Sequence, residues 1–226
     1  MNSGQARQPI VILISGRGGN MRALIERSND SDASYDVKQV LSDQPDAAGL
    51  RIAAEFGIPA QALAADPGVN RTAYDAALAA AISACSPSLI VLAGFMRILS
   101  AQFVAAFAGK IMNIHPSLLP KFPGLHTHRQ VLEAHEPQHG ATVHFVTEQL
   151  DGGPPVIQAR VAVAIDDDEA SLAARVQSVE HRIYPLAVRW FCQGRLRLEA
   201  GQAWLDGKAL REPVQFGGAD MRGLNW

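Results

Sequence analysis

The sequence has few cysteines and no long apolar run. Its two cysteines, Cys85 and Cys192, lie in apolar surroundings, which favours buried thiols in a reducing compartment over a disulfide. No apolar stretch approaches the ~20 residues that cross a membrane. The apolar run from Ile10 to Ile14 is too short for the core of a signal peptide. The sequence therefore predicts a cytoplasmic protein with no membrane partner.

An excess of charge of one sign is also missing. The formal net charge is −2 over 226 residues, and both signs are scattered along the chain. Proteins that bind nucleic acid usually carry a broad basic surface, so we expect no nucleic-acid partner. The expected partners are small molecules, whose anionic groups would be held at local sites.

Several common catalytic patterns are incomplete or missing. Gly16 and Gly18 fit the dinucleotide fingerprint, but Met21 stands where its third glycine belongs. No Walker lysine follows, and no serine or cysteine stands in a nucleophile elbow. Direct attack by a substrate amine is therefore easier to support than a covalent enzyme intermediate.

Histidines are frequent in the middle of the chain, but their spacing does not fit a metal site. They are His115, His126, His128, His135, His139 and His144. No pair has the H-E-x-x-H spacing, and neither cysteine is near a histidine, so no metal is expected. We expect His135 and His139 at the surface. For His144, inside a predicted strand, a core role and a catalytic role both stay open.

The first half of the chain alternates apolar runs with helical patterns. The predicted strands are Pro9–Ile14, Val37–Leu41, Ile58–Leu63, Ser88–Ala93 and Lys110–Ile114. The predicted helices begin near Met21 and cover Asp46–Phe56, Asn70–Ala84 and Gln102–Phe107, the last capped by Ser100. This alternation predicts an α/β, Rossmann-like fold, in which a mostly parallel twisted sheet has helices on both faces.

The pattern changes after Pro120. The expected elements are a short helix over Thr127–Ala134, two alternating, half-buried strands over Ala141–Thr147 and Val156–Ala164, a long helix over Ala170–Gln193, and a hairpin over 195–210. The acidic run before the long helix would stabilise its first turn, and Pro185 should kink or split it.

These elements predict a single domain over residues 1–226. It would consist of an N-terminal half at about 9–110, a C-terminal half at about 111–212, and a loose tail over 213–226.

Asn113 and His115 form the strongest candidate for catalysis. They are two residues apart on a predicted strand, so they project to the same side. Ligands of open α/β sheets bind at the carboxyl ends of strands. An amide donor beside a protonated imidazole suits a carbonyl oxygen that becomes an oxyanion in acyl transfer. Asp151, in a glycine loop, could orient or charge the histidine, but the spacing does not bring it near.

A phosphate site is expected where the first strand meets the first helix. The loop Ser15–Asn20 is rich in glycine and precedes a helical pattern. Such an arrangement points backbone N–H groups at an anion. A tight turn with no ligand is the alternative that the residues leave open.

Three runs carry a family resemblance. They are LAGFMRILS (Leu92–Ser100), NIHPSLLPKFPGLHTHRQ (Asn113–Gln130) and HGATVHFVTEQLDGGP (His139–Pro154). With these runs and the Arg-Val-Gln-x-x-Glu-His pattern of Arg175–His181, the sequence resembles the phosphoribosylglycinamide formyltransferases over about Ile10 to about Leu210. The resemblance implies the formyltransferase fold, with nucleotide binding in the N-terminal half at about 9–110 and folate binding and catalysis in the C-terminal half at about 111–212. It also implies formyl transfer from the co-substrate 10-formyltetrahydrofolate to the amine of glycinamide ribonucleotide, in purine synthesis.

The resemblance also assigns residues to roles. Asn113, His115 and Asp151 match the family's catalytic residues. The positions matched to ribonucleotide binding are Gly18, Gly19, Asn20, Gln177 and Glu180. The positions matched to the folate pocket are Arg71, Met96, Arg97, Ile98, Leu99, Asn113, Gly140, His144 and Asp151. The family often has serine where Gly19 stands, so we expect phosphate binding to survive on backbone N–H groups alone.

Rival functions remain at this level. A formyltetrahydrofolate hydrolase would usually add an N-terminal regulatory domain, and a transferase for initiator methionyl-tRNA a C-terminal RNA-binding domain. Neither is expected here. A nucleotide-binding oxidoreductase or a non-catalytic Rossmann module would leave the Asn113 to His115 pattern unexplained. The sequence leaves monomer and homodimer both open.

Overall fold

The computed structural model describes residues 6–64 and 70–217 of the chain. The helices in these ranges are α1 (Gly19–Ser28), α2 (Ala48–Glu55), α3 (Arg71–Ala84), α4 (Ala101–Ala106), α5 (Thr127–Glu133) and α6 (Glu169–Cys192). The strands are β1 (Gln8–Ile14), β2 (Tyr35–Ser42), β3 (Ala60–Ala62), β4 (Leu89–Leu92), β5 (Ile111–His115), β6 (Gln138–Phe145), β7 (Pro155–Ala162), β8 (Leu196–Glu199), β9 (Gln202–Leu205), β10 (Lys208–Ala209) and β11 (Val214–Gln215).

Eight strands form one mostly parallel sheet in the order β11-β7-β6-β5-β4-β1-β2-β3. Strands β3, β2, β1, β4 and β5 are parallel to their neighbours in that series, whereas β6 is antiparallel to both β5 and β7. Helices cover both faces. The predicted α/β, Rossmann-like class is confirmed.

The centre of the sheet is buried on both faces. Ile10, Ile12 and Ile14 of β1 belong to one apolar cluster, together with α1 and α6. The alternate residues Val11 and Leu13 belong to a second cluster, under α3 and α4. A strand covered on both sides needs an unbroken apolar run, which explains why β1 could be recognised from its sequence.

The strand order reverses between β1 and β4, and this reversal marks the edge of the sheet at which a ligand is expected to bind. From β1 the chain proceeds outward through β2 and β3, then returns to β4 on the other side. Ligands of open α/β sheets bind beyond the carboxyl ends of strands at such a reversal. Here the loops after β1 and β4 are joined, since Ser15 N–H donates to the Gly94 carbonyl at 2.9 Å and Met96 N–H to Ser15 Oγ at 2.8 Å.

The long helix α6 is fastened to this edge by a buried tyrosine. The Tyr184 hydroxyl lies 3.0 Å from the Leu92 carbonyl and 2.9 Å from the Met112 carbonyl. These carbonyls belong to β4 and β5, which are adjacent. One side chain of α6 therefore holds the helix against the strand that carries Asn113.

The structure corrects the expectation for Pro185. Helix α6 is continuous over 24 residues and contains Pro185 in its interior, so of the two expected outcomes the split is wrong, and the kink stays a prediction. Proline removes an N–H donor, but its neighbours Tyr184 and Leu186 are buried in the core. This tertiary packing stabilises the helix through the position that lacks a donor.

The half-buried character predicted for the strand near Ala141 is also wrong. Every residue of β6 after Gln138 is buried. The segment after β5 covers its polar face, because Thr142 Oγ1 donates to the Ser117 carbonyl at 2.7 Å and accepts from Leu119 N–H at 3.1 Å. Polar residues of β6 are therefore internal hydrogen-bonding groups.

The end of the chain is more ordered than expected. The predicted hairpin is a three-stranded antiparallel sheet, β10-β9-β8, with Asp206 and Gly207 at its second turn. In the predicted loose tail, Val214 and Gln215 pair with β7. The tail is therefore part of the large sheet at this point, and residues 218–226 lie outside the described ranges.

Two histidines form an internal pair, which corrects the surface position expected for His139. His139 is 1% exposed, and its Nε2 lies 2.9 Å from Nδ1 of His128 on α5. One of these nitrogens must donate and the other accept. Burial lowers the pKa of His139 to about 4 and also lowers that of His128, so the neutral pair belongs to the folded state.

Replacing Tyr184 by phenylalanine tests how α6 is fastened. The variant loses the hydroxyl that meets the Leu92 and Met112 carbonyls, so we expect the free energy of unfolding in urea to fall by about 1–3 kcal/mol. Because those carbonyls adjoin Asn113, kcat should fall as well. Tyr35→Phe is the matched control, since its buried hydroxyl donates to the Leu24 carbonyl. Tyr35→Phe should lower the free energy of unfolding but leave kcat unchanged. A Tyr184→Phe variant with wild-type stability and kcat would show that the Tyr184 hydroxyl does not hold α6 in place.

The buried histidine pair predicts acid lability. The unfolded chain takes up protons at histidine below pH ~6.5, whereas the folded chain resists this until about pH 4 at His139. The pair's contribution to stability is therefore complete above pH ~6.5 and is lost as the pH falls towards 4. In urea titrations at several pH values, His139→Gln should lose less stability over this interval than the wild type. His135→Gln, at an exposed position, should follow the wild-type curve.

Candidate active site

A cavity of about 690 Å³ opens at the carboxyl ends of β4 and β5. We term it the main cavity. One wall is apolar and consists of Leu92, Leu99, Val104 and Val146. The polar end consists of Asn113, His115, His144 and Asp151. A mostly apolar cavity with a few converging polar groups is the usual form of a small-molecule site.

Asn113 faces His144 across the antiparallel strands. The two residues are direct partners in the β5–β6 register, and Asn113 Nδ2 lies 3.2 Å from His144 Nε2. His144 Nδ1 faces the Phe145 carbonyl at 2.9 Å, so this nitrogen carries the hydrogen and Nε2 accepts. Burial lowers the pKa of His144 to about 4, which keeps the ring neutral. The hydrogen bond from Asn113 Nδ2 to His144 Nε2 therefore fixes the orientation of the Asn113 amide.

His115 lies at the end of β5 with both ring nitrogens facing oxygen acceptors. Its Nε2 is 2.9 Å from the Phe122 carbonyl, and its Nδ1 is 3.4 Å from Asp151 Oδ2. Both nitrogens donate only in the protonated imidazolium. The surroundings of His115 therefore suit a charged ring.

Asp151 is held against these side chains by its own backbone and by a neighbouring loop. It has a φ of 49°, in the left-handed region, and its Oδ2 accepts from Gly124 N–H at 2.9 Å. Its Oδ1 lies 3.7 Å from His144 Nε2, and the side chain is 8% exposed. The loop from β6 to β7 thus brings Asp151 to the Asn113 and His115 pair, which the sequence spacing could not establish.

The glycine loop after β1 leaves backbone donors open at the start of α1. Gly18 is the N-cap, has a φ of 77°, and offers no side-chain cap. A Cβ at Gly18 would meet the Gly49 Cα at 2.9 Å, so only glycine allows this approach to α2. The first N–H groups of α1 are therefore available to an anion, which the helix dipole also favours.

Helix α6 supplies polar groups beside this loop. Asn20 Nδ2 donates to Glu180 Oε2 at 2.8 Å, and burial raises the pKa of the Glu180 carboxyl although this hydrogen bond opposes the shift. A Cβ at Gly19 would lie 2.6 Å from Gln177 Nε2 and 3.2 Å from His181 Nε2. The absence of a side chain at Gly19 therefore lets Gln177 come close to the loop.

The folate positions implied by the resemblance fall into two groups. Met96, Arg97, Ile98 and Leu99 line the main cavity, and Met96 and Ile98 are 64% and 59% exposed at its rim. The Arg97 guanidinium stacks on the Tyr74 ring, 4.2 Å from its centroid.

Arg71 and Gly140 lie outside the cavity lining. The Arg71 guanidinium donates to the carbonyl of Leu99, a residue of the cavity lining, and so supports the wall of the main cavity without lining it. Gly140 lies inside β6, where a Cβ would meet the Ala159 carbonyl oxygen at 1.9 Å. The close approach of Ala159 and Leu118 accounts for glycine at this position, and the assignment of Gly140 to the folate pocket stays a prediction.

The backbone supplies partners that the sequence could not reveal. The Phe122 carbonyl and the Gly124 N–H bind His115 and Asp151, but such groups are common to most residue types. His126 and His128 line the cavity as well, and the density of histidines was the one available signal for them.

Among the described residues, the structure shows neither a metal site nor a membrane-spanning helix. No group of three or more His, Cys, Asp or Glu side chains among them is arranged to hold a metal ion. No helix in residues 6–64 or 70–217 is both long and apolar enough to cross a membrane.

Comparison with known proteins identifies the family. The formyl transferase family model matches residues 8–188. Phosphoribosylglycinamide formyltransferase of Escherichia coli is 50% identical over 93% of this chain and 99% of its own length. The Haemophilus influenzae protein of the same name is 43% identical over 89% of this chain and 95% of its own.

A solved structure agrees with these relatives. The phosphoribosylglycinamide formyltransferase of Coxiella burnetii superposes with a TM-score of 0.88 at 41% identity, and the match covers 92% of this chain and 100% of that one. The mostly parallel sheet, the main cavity with its polar end and these matches all point the same way, and the chain belongs to the phosphoribosylglycinamide formyltransferase family of folate-dependent one-carbon transferases.

Proposed function

We propose that this chain transfers the formyl group of 10-formyltetrahydrofolate to the amine of glycinamide ribonucleotide. The products are formylglycinamide ribonucleotide and tetrahydrofolate, and the reaction is a step of purine synthesis. The observation that carries this proposal is the convergence of Asn113, His115 and Asp151 at the polar end of an apolar cavity, in a chain of this family. The cavity's size and apolar wall suit a pterin and its substituents.

The ribonucleotide phosphate is assigned to the start of α1. Open N–H groups at Gly19 and Asn20 offer donors to the phosphate oxygens. Gln177 adds a side-chain amide next to Gly19, and Glu180, held by Asn20, offers carboxyl oxygens to hydroxyl groups of the ribose. Because the loops after β1 and β4 are hydrogen-bonded together, this assignment directs the substrate amine towards the main cavity.

The chemical step is assigned to the polar end of the cavity. The amine attacks the formyl carbon, and the formyl oxygen becomes an oxyanion. Asn113 Nδ2, fixed by His144, donates one hydrogen bond to this oxygen. Protonated His115 donates another from Nδ1, the ring nitrogen that lies 3.4 Å from Asp151. Donors fixed in advance in a dry site stabilise such charge strongly.

Asp151 has two tasks in this scheme. Its negative charge favours the imidazolium form of His115. It also accepts the proton that the attacking nitrogen must lose, directly or through one water, and returns it to the folate nitrogen as the bond to the formyl carbon breaks. The proton count therefore balances without an external acid or base.

We also propose a single catalytic domain and a cytoplasmic location. The phosphate loop lies in the N-terminal half and the catalytic side chains lie in the C-terminal half, so neither half would be sufficient alone. Cys85 and Cys192 are free thiols, which is typical of proteins in a reducing compartment.

The acceptor of the formyl group can be tested directly. The protein is mixed with 10-formyltetrahydrofolate and offered glycinamide ribonucleotide, initiator methionyl-tRNA or water alone. We expect tetrahydrofolate to appear only with the ribonucleotide, in equal amount to formylated product. Formate release without ribonucleotide would contradict the transferase assignment, and no turnover with any acceptor would point to a binding protein.

Truncation of the proposed oxyanion donors tests the catalytic assignment. Asn113→Ala and His115→Ala should each lower kcat by ~100-fold or more, because each removes a fixed donor to the oxyanion. His135→Ala, at an exposed position outside the cavity lining, is the matched control and should keep wild-type kcat. A donor variant that retains more than about a tenth of wild-type kcat would remove that residue from the mechanism.

A further inference from the structure

A second cavity lies at the opposite edge of the sheet from the main cavity. It has a volume of about 370 Å³ and sits between the second half of α6 and the segment that joins α1 to β2. Tyr35, where β2 begins, is part of its lining. We term it the arginine cavity because Arg27, Arg182 and Arg189 all line it.

The charges around this cavity are not balanced. Arg27 pairs with Asp30 at 3.1 Å, and Arg189 pairs with Asp32 at 2.9 Å. Within the described part of the chain, Arg182 has no acid as a partner, and its guanidinium rests on the Phe216 ring, 4.7 Å from the centroid. The three guanidinium groups therefore face two carboxylates, and Arg182 keeps an uncompensated positive charge.

The Arg189 guanidinium uses only some of its hydrogen-bond donors. Its Nη2 meets Asp32, but its buried Nε has no hydrogen-bond partner among the described residues. A guanidinium binds planar or tetrahedral oxyanions best when Nε and one Nη donate together. The Asp32 side chain is 61% exposed, so an incoming anion could displace it at little cost.

Apart from Ser34, the remaining wall of the arginine cavity is apolar. Ala33, the Tyr35 ring, Pro185 and Leu186 contribute it. Such a wall adds nothing to the binding of a bare inorganic ion, but it can cover the body of an organic ligand. A cavity of this volume is in the range of small-ligand sites.

We propose that the arginine cavity is a second anion site, which binds a small phosphomonoester such as a nucleoside monophosphate. The phosphoryl oxygens bind Arg182 and the Nε edge of Arg189, and the organic part contacts Tyr35, Pro185 and Leu186. Asp32 pairs with Arg189 when no ligand is bound, and the incoming phosphoryl group displaces it. This site is separate from the phosphate loop, which lies at the other edge of the sheet.

Calorimetric titration in 0.15 M salt tests the proposal. Glycinamide ribonucleotide is itself a phosphomonoester, so it is titrated separately into the Arg182→Gln variant, where its binding to the phosphate loop reports on the proposed function independently. In the wild-type protein, adenosine 5′-monophosphate should bind at a site that Arg182→Gln removes, inorganic phosphate should bind there more weakly, and adenosine should not bind. Binding of adenosine as tight as that of its monophosphate, or no binding of the monophosphate, would overturn the proposal. Equal binding by inorganic phosphate would overturn the assignment to a phosphomonoester.

Variants locate the second site. Arg182→Gln and Arg189→Gln should each weaken monophosphate binding by about tenfold or more, since each removes a charged donor. Asp32→Asn should tighten binding, because it removes the competing carboxylate from Arg189. Arg51→Gln and Asp46→Asn, at exposed positions on and before α2, are the matched charge controls and should leave binding unchanged. Binding that is unaffected by both arginine variants would overturn the proposal, and thermal unfolding of each variant verifies that it is folded.

Discussion

The antiparallel pairing of β5 with β6 fixes the amide of Asn113, and the rest of the candidate site is arranged around it. The register sets Asn113 opposite His144. Because the Phe145 carbonyl takes the hydrogen of His144 Nδ1, Nε2 must accept from the amide. The change of strand direction at β6 thus places the His144 ring beside the Asn113 amide at the end of β5.

The three side chains around Asn113 have different hydrogen-bonding surroundings. His144 is kept neutral by its environment, and burial lowers its pKa to about 4. His115, two residues beyond Asn113 on β5, faces oxygen acceptors at both ring nitrogens. Asp151 faces both rings but lies closer to His115, at 3.4 Å against 3.7 Å. The two histidines on adjacent strands thus differ in their surroundings, since His144 orients an amide and His115 lies between a carbonyl and a carboxylate.

Helix α6 connects the parts of the molecule that the sheet alone would leave apart. Tyr184 fastens it to β4 and β5, and Glu180 fastens it to the loop after β1. Its second half contributes Arg182 and Arg189 to the arginine cavity at the opposite edge. The unbroken course of the helix through Pro185 means that these contacts share one rigid element.

Sequence patterns predicted the parts of the structure that depend on local physics. The apolar run of β1, the caps at Asn70 and Ser100, and the shared direction of Asn113 and His115 all follow from periodicity or capping. The burial of His139 and of Thr142 on β6 did not, because it depends on other parts of the chain: His128 of α5 packs on His139, and the segment after β5 covers Thr142. The same applies to the distance from His115 to Asp151, which depends on loop geometry. Backbone groups at Phe122 and Gly124 carry no signal of residue type at all.

A crystal structure of the protein with glycinamide ribonucleotide and an unreactive folate analogue tests the central claim most directly. We expect the phosphate on the N–H groups of Gly19 and Asn20. We also expect the oxygen that mimics the formyl group at about 3 Å from Asn113 Nδ2, with His115 Nδ1 as its second donor. A phosphate bound away from α1, or an oxygen that neither Asn113 nor His115 contacts, would contradict the central claim.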